Sequence, residues 1–292
     1  MKKEKAIRIN LPDGAEYRRV EVTDGGISII YAEEIANDTA KASKTVSKAL
    51  PKPTPLTGGT EVYQKEGLPY WYCRIKDGRD EFMHLYFGDL TDDDLLFEDG
   101  KKREFATEFQ RNFKVEVLKA LEHIPKKGFR WIPVYEPSMD NGNLQYVSGA
   151  NVLRGLYSEE WEEAFENYSP ENGSSMATIT TYFLLLLRLL KDGFATVEQL
   201  ADDSKELGHY WDIKDTKYEV EKTGERQLGG LYGFAGNTCK IVKDSESSSG
   251  FSILGFICSD IGYICPLADV VSYSYDMFDS RDYGVGLLEL TK

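Results

Sequence analysis

The stretch at residues 230–242, GLYGFAGNTCKIV, constrains this chain more than any other. Glycines at 230, 233 and 236 punctuate it, and it ends in an alternating apolar strand that begins near Cys239. Glycine supplies the left-handed backbone that tight turns demand. A second apolar strand, residues 285–290, closes the sequence, and the run between the two has a composition of its own.

What surrounds that stretch is a chain of 292 residues, long enough for one large domain or two ordinary ones. Apolar residues at 41% and aromatics at 12% suit a core-forming protein. A formal net charge of -14 argues against a binder of duplex DNA or anionic membrane, which needs clustered Lys and Arg, and reads as the charge of a soluble surface. Cys73, Cys239, Cys258 and Cys265 show no zinc-type pairing and no disulfide framework. The basic start lacks the apolar core of a secretory signal, and the longest apolar run, residues 182–190, is too short to span a bilayer and contains Arg188. The expectation is a soluble protein made in the cytoplasm without a signal peptide, compatible with later assembly into a virion or display at a surface.

Read in order, residues 1–36 give a β-rich segment. Ile7 and Ile9 alternate with polar residues, and strands at 17–22 and 27–31 flank the turn signal Asp24-Gly25-Gly26. Residues 37–60, with Pro51, Pro53 and Pro55, read as an extended linker or arm. Residues 61–128 read as a β-hairpin turning at Asp77-Gly78 and an amphipathic helix over 101–124, an anchoring or oligomerising region. In that helix Phe105, Phe109, Phe113, Val117 and Leu121 recur every fourth residue and are expected to share one face. Asp92, Asp93 and Asp94 lack the spacing of a calcium loop and read as a solvated turn. Residues 129–292 hold two strands around the loop at 137–142, a short helix capped by Ser158 with Trp161 and Phe165 on its apolar side, and a nearly all-buried helix over 178–191. A third helix, boxed by Thr196 and Gln199, ends near Leu207.

The order of these elements resembles that of the formylglycine-generating-enzyme family, also called sulfatase-modifying-factor domains. Gly230, Leu231, Tyr232, Ala235, Gly236 and Asn237 match the family's GLYDMAGNVWEW signature. Residues 129–134 stand where the family opens with a strand, 250–255 where it has lRGGSw, and 283–290 where it closes. The resemblance implies an α+β, C-type-lectin-like domain over residues 129–292: two to three helices on a small, mostly antiparallel sheet with long loops. Asn237 is then a structural residue that ties down a loop. The family's enzymes oxidise a cysteine with copper, using two cysteines separated by four residues; here Cys258 and Cys265 are separated by six. That leaves a copper-dependent oxidase as an alternative. The non-catalytic variable proteins of diversity-generating retroelements, many of them in phages and gut bacteria, are the members most similar to this chain.

That likeness carries a compositional expectation. Retroelement diversification randomises adenines in AAC-type codons, which cannot become Lys, Glu, Gln, Met or Trp. Those five types fill about a fifth of the whole chain, so a 28-residue run should hold about six, yet residues 256–283 hold one, Met277. The run is rich in Tyr, Ser and Asp, which supply contact area and adaptable hydrogen bonds. Its expected binding positions are Phe256, Ile257, Cys258, Ser259, Asp260, Ile261, Tyr263, Ile264, Ser272, Tyr273, Tyr275, Asp276, Phe278, Asp279, Ser280 and Asp282, with Leu267 and Val270 as core. Two plain strands and a loop would deplete Lys and Glu as well. The expected function is ligand binding: a receptor-binding or display protein with a diversified surface, facing a protein or cell-surface ligand. It would need no cofactor, catalytic residue or metal, and would stand alone, as a homo-oligomer or in a phage particle. A purely structural particle component is the further alternative. His84, His123 and His209 sit in unrelated contexts and read as structural or exposed.

Overall fold

Alternation and turn chemistry set the first elements. The computed structural model describes residues 17–23, 26–31, 50–208, 220–245, 250–254, 267–268, 270–271 and 284–292, with backbone alone at 17–23, 26–31, 205 and 270–271. The chain divides into two units, Met1–Ala49 and Leu50–Lys292. In the first, β1 (Tyr17–Thr23) pairs antiparallel with β2 (Gly26–Tyr31), Thr23 opposite Gly26. The strand expected around Ile7 and Ile9 lies outside the described residues.

The second unit begins inside the segment expected to be a linker. From Leu50 onward that segment belongs to the folded body: Leu50 and Leu56 are buried, and the Asn172 side chain clasps Thr57, accepting from its N–H at 2.7 Å and donating to its carbonyl at 3.2 Å. Spaced prolines carry no information about what the chain lies on. After β3 (Tyr63–Gln64), β4 (Trp71–Ile75) and β5 (Asp80–Tyr86) form the hairpin, turning through Lys76, Asp77 and Gly78, all at positive φ. The triple aspartate is the first turn of α1 (Asp92–Leu96), where the helix dipole favours acids and Asp94 accepts from the Thr91 N–H at 2.8 Å. A small hairpin, β6 (Phe97–Glu98) and β7 (Lys101–Lys102), leads to α2 (Glu108–Glu122).

This helix is shorter than expected and turned differently. Its buried set is Gln110, Phe113, Val117 and Ala120, while Phe109 is 51% exposed. The sequence continues with β8 (Phe129–Pro133), the hairpin β9 (Ser138–Asp140) and β10 (Asn143–Gln145), then α3 (Ser158–Glu166) with Trp161 and Phe165 buried. The N-cap of α3 is Tyr157, not Ser158. After β11 (Ser174–Met176), Thr178 caps α4 (Ile179–Lys191), and every residue from 181 to 190 is buried. Thr196 and Gln199 box α5 (Val197–Ala201); the expected run to Leu207 is completed by a separate 3-10 turn, Lys205–Leu207. The strands that follow are β12 (Gln227–Leu228), β13 (Leu231–Tyr232), β14 (Cys239–Lys243), β15 (Phe251–Leu254), β16 (Val270–Val271), β17 (Gly284–Gly286) and β18 (Leu288–Leu290).

Two sheets organise the unit. One has six strands in the order β11-β18-β8-β5-β4-β3, the other four in the order β16-β15-β14-β17. β5 pairs with β8 from Phe82↔Pro133 to Tyr86↔Phe129, so the boundary expected after residue 128 falls inside a sheet and separates nothing. The closing apolar run, expected as one strand, divides at Leu287. β17 runs parallel to β14 in the smaller sheet, and β18 pairs with β11 and β8 in the larger. Successive side chains of a strand face opposite ways. Tyr72, Met83, Leu85 and Ile132 therefore pack with the helix residues Phe113, Val117 and Leu184–Leu187 side, while Cys73, Phe82 and Trp131 pack with Trp161, Phe165, Ile241 and Val285. The architecture is α+β. Among the described residues no helix is long and apolar enough to cross a membrane.

Candidate functional site

The register of the four-stranded sheet brings several chain ends to one place. Lys240 in β14 lies opposite Leu254 at the end of β15, Leu254 lies opposite Val270 at the start of β16, and Cys239 lies opposite Gly284 at the start of β17. Leu254, Val270 and Gly284, the described strand ends that flank residues 255–269 and 272–283 in sequence, therefore lie at one end of the sheet. The glycine motif feeds β14 there as well.

A buried polar cluster locks this end. Asn237 donates from Nδ2 to Glu136 Oε2 at 2.6 Å and to the Glu221 carbonyl at 3.2 Å, and its Oδ1 accepts from the Glu221 N–H at 2.8 Å. Thr238 donates to Glu136 Oε1 at 2.5 Å. Lys240 Nζ reaches Glu136 Oε1 at 3.1 Å, the Gly233 carbonyl at 2.9 Å and Thr238 Oγ1 at 2.7 Å. The Lys240 and Glu136 side chains are 4% and 2% exposed, so the pair holds in a low dielectric only because its hydrogen bonds are filled. Gly233, at φ 65°, is required: a Cβ there would stand 2.1 Å from the Glu136 carboxylate. In the same motif Leu231 and Ala235 are buried, and Gly236 holds φ 78°. Burial pushes the neighbouring Cys239 thiol up to about 12, and Cys73 is also buried and raised, so neither is poised as a nucleophile.

Beside this lock lies a group of tyrosines. Gly230, at φ 95°, lets the motif pass over Tyr72; a Cβ would meet its hydroxyl at 2.4 Å. Tyr63 stacks on Tyr72 with centroids 5.9 Å apart, and Tyr135 stacks on Tyr232 at 5.1 Å. Glu81, its side chain 2% exposed, accepts from the Tyr63 hydroxyl, from Lys65 Nζ at 2.6 Å and from Arg74 Nη2 at 3.3 Å. Burial works to raise the Glu81 carboxyl, but the hydrogen bonds from Lys65 and Tyr63 and the charges of Lys65 and Arg74 outweigh it and hold it below its ordinary value. Burial first, and then Glu81, raises Tyr63, Tyr72 and Tyr135. Lys65 Nζ sits 4.5 Å from the Tyr72 centroid and the Arg74 guanidinium 5.8 Å from that of Tyr63.

Elsewhere, a groove of about 980 Å³ is lined by the end of α2 and the start of α4; its Lys119, Lys126 and Lys127 are offset by Glu116, Glu122 and Asp244. No three His, Cys, Asp or Glu side chains come together as a metal site among the described residues. All sixteen expected binding positions between Phe256 and Asp282 lie outside the described residues, as do Cys258, Cys265 and His209. Of the expected core pair, Leu267 is buried and accepts from the Tyr182 hydroxyl at 2.8 Å, and Val270 joins β16. His84 is buried and His123 exposed. Sequence reasoning missed Glu136, Lys240 and the tyrosine group. One signal was present: Lys240 is a charge set inside the apolar strand Cys239–Lys243, which a buried partner explains. Comparison with family models, curated proteins and solved structures finds no match for this chain.

Proposed function

We propose that the chain is a ligand-binding protein whose C-terminal part is a C-type-lectin-like scaffold presenting residues 256–283 as its contact surface. The observation that supports this reading is the common end of the four-stranded sheet. Leu254, Val270 and Gly284, which border the Tyr-, Ser- and Asp-rich run in sequence, meet there, and the Glu136–Asn237–Lys240 cluster fixes its base. A base held by buried hydrogen bonds lets loop residues change without a packing cost in the core. Tyr263, Tyr273 and Tyr275 would give broad amphipathic contact, with Ser and Asp adapting to the partner. Diversification by a retroelement belongs to the same proposal. Sequencing the gene in sibling isolates tests it: differences should concentrate in codons 256–283, beside a reverse-transcriptase gene and a near-repeat of the 3′ end. Differences spread evenly along the gene would sink the idea.

A further inference from the structure

We infer that Asn141, at the tip of the β9–β10 hairpin, is a site of spontaneous covalent modification, where the side-chain amide is lost through a succinimide to leave aspartate or isoaspartate. This is independent of what residues 256–283 bind. The sequence holds two Asn-Gly pairs, Asn141-Gly142 and Asn172-Gly173. In each, a glycine nitrogen with no side chain beside it follows a carboxamide carbon at the spacing that closes a five-membered ring. As sequence the two pairs are equivalent; the structure separates them.

Asn172 is fully buried. Its Oδ1 accepts from the Thr57 N–H at 2.7 Å, and its Nδ2 donates to the Thr57 carbonyl at 3.2 Å and to Ser169 Oγ at 2.9 Å, which uses both amide hydrogens. The nucleophile is held as well. The Gly173 N–H donates to the Pro170 carbonyl at 3.0 Å, and a Cβ on Gly173 would stand 2.3 Å from Thr291 Oγ1. Ring closure there requires the folded body to open. Asn141 and Gly142 are exposed and, at φ 50° and 80°, form the two-residue turn between Asp140 and Asn143. The Gly142 N–H has no hydrogen-bond partner among the described residues, and a Cβ on Gly142 would meet nothing within 4 Å. The Asn141 carboxamide donates to the exposed Asp140 at 3.0 Å. Its hairpin is a sheet of its own with three residues in each strand, so local opening costs little.

The chemistry needs water alone. The Gly142 nitrogen gives its proton to hydroxide and bonds to Asn141 Cγ, the Cγ–Nδ2 bond breaks, and ammonia leaves. Water then opens the ring at either carbonyl. One product is aspartate; the other is isoaspartate, whose main chain runs through Cβ. Both set a carboxylate beside Asp140 where a donor stood, and isoaspartate lengthens a turn whose register depends on two residues.

The test is incubation of the full chain in mildly alkaline buffer. Peptide mass spectrometry follows deamidation at both pairs, and an isoaspartate-specific methyltransferase counts the isoaspartate. A parallel sample in guanidinium gives the rates of the unfolded chain. In the folded protein Asn141 should convert at least about tenfold faster than Asn172, and in guanidinium the two rates should lie close together. Asn141→Gln should remove the folded-state signal. Equal folded-state rates, faster loss at Asn172, or an Asn141 that stays intact while the guanidinium sample converts would overturn the inference.

Discussion

Glu136 is a single carboxylate between Tyr135 and Pro137, and it answers donors from Asn237, Thr238 and Lys240. Removing it strands a lysine ammonium whose side chain is 4% exposed. Glu136→Ala should destabilise the unit by about 3–5 kcal/mol in urea unfolding, and Glu136→Gln combined with Lys240→Met should cost less, because no bare charge stays buried. His84 makes a different statement. It is 3% exposed, lies against Phe129 and Trp131, and neither ring nitrogen has a hydrogen-bond partner among the described residues. Burial pushes its pKa from 6.5 down to about 4. The unfolded chain therefore takes up the proton first. The His84 contribution is complete above about pH 6.5 and is lost as pH falls through about 4, reaching about 3 kcal/mol. His84→Leu should flatten the fall in unfolding midpoint between pH 7 and pH 4.5 relative to the parent; an unchanged slope would remove His84 from the account.

At the scale of elements, α2 shows how a pattern can be right in kind and wrong in face. Residues four apart on an α-helix advance about 400°, so each repeat drifts about 40°. A run of five such residues cannot stay on one stripe, and the buried set instead alternates steps of three and four: Gln110, Phe113, Val117, Ala120. Phe109→Ser should change stability by less than about 0.5 kcal/mol, whereas Phe113→Ala should cost about 3–5 kcal/mol, both read by thermal melts. The local signals were legible. The Thr196–Gln199 box and the Asp77-Gly78 turn each act within a few residues and stand where the sequence set them. Sheet membership was not legible, because β17 and β18 are separated by Leu287 alone and yet join different sheets.

For the whole molecule, composition marked residues 37–60 as a passage between parts, but contacts place the division at Ala49 and Leu50. A chain of residues 50–292 should fold alone and reproduce the unfolding transition of that unit in the full protein, measured by circular dichroism; a shifted or broadened transition would show that the first 49 residues contribute to it. By itself the sequence determined the Thr196–Gln199 cap, the Asp77-Gly78 turn and the glycines at positive φ around them, since these are set by short-range sterics and hydrogen bonds, and it pointed to the α+β class. Only the tertiary structure decided that Glu136 meets Lys240 across about a hundred positions, that Tyr63 donates to Glu81 while Tyr135 stacks on Tyr232, and that Leu254, Val270 and Gly284 share one sheet end. Pairings at such separations depend on which strands become neighbours, and a one-dimensional pattern of apolar and polar residues does not encode that choice.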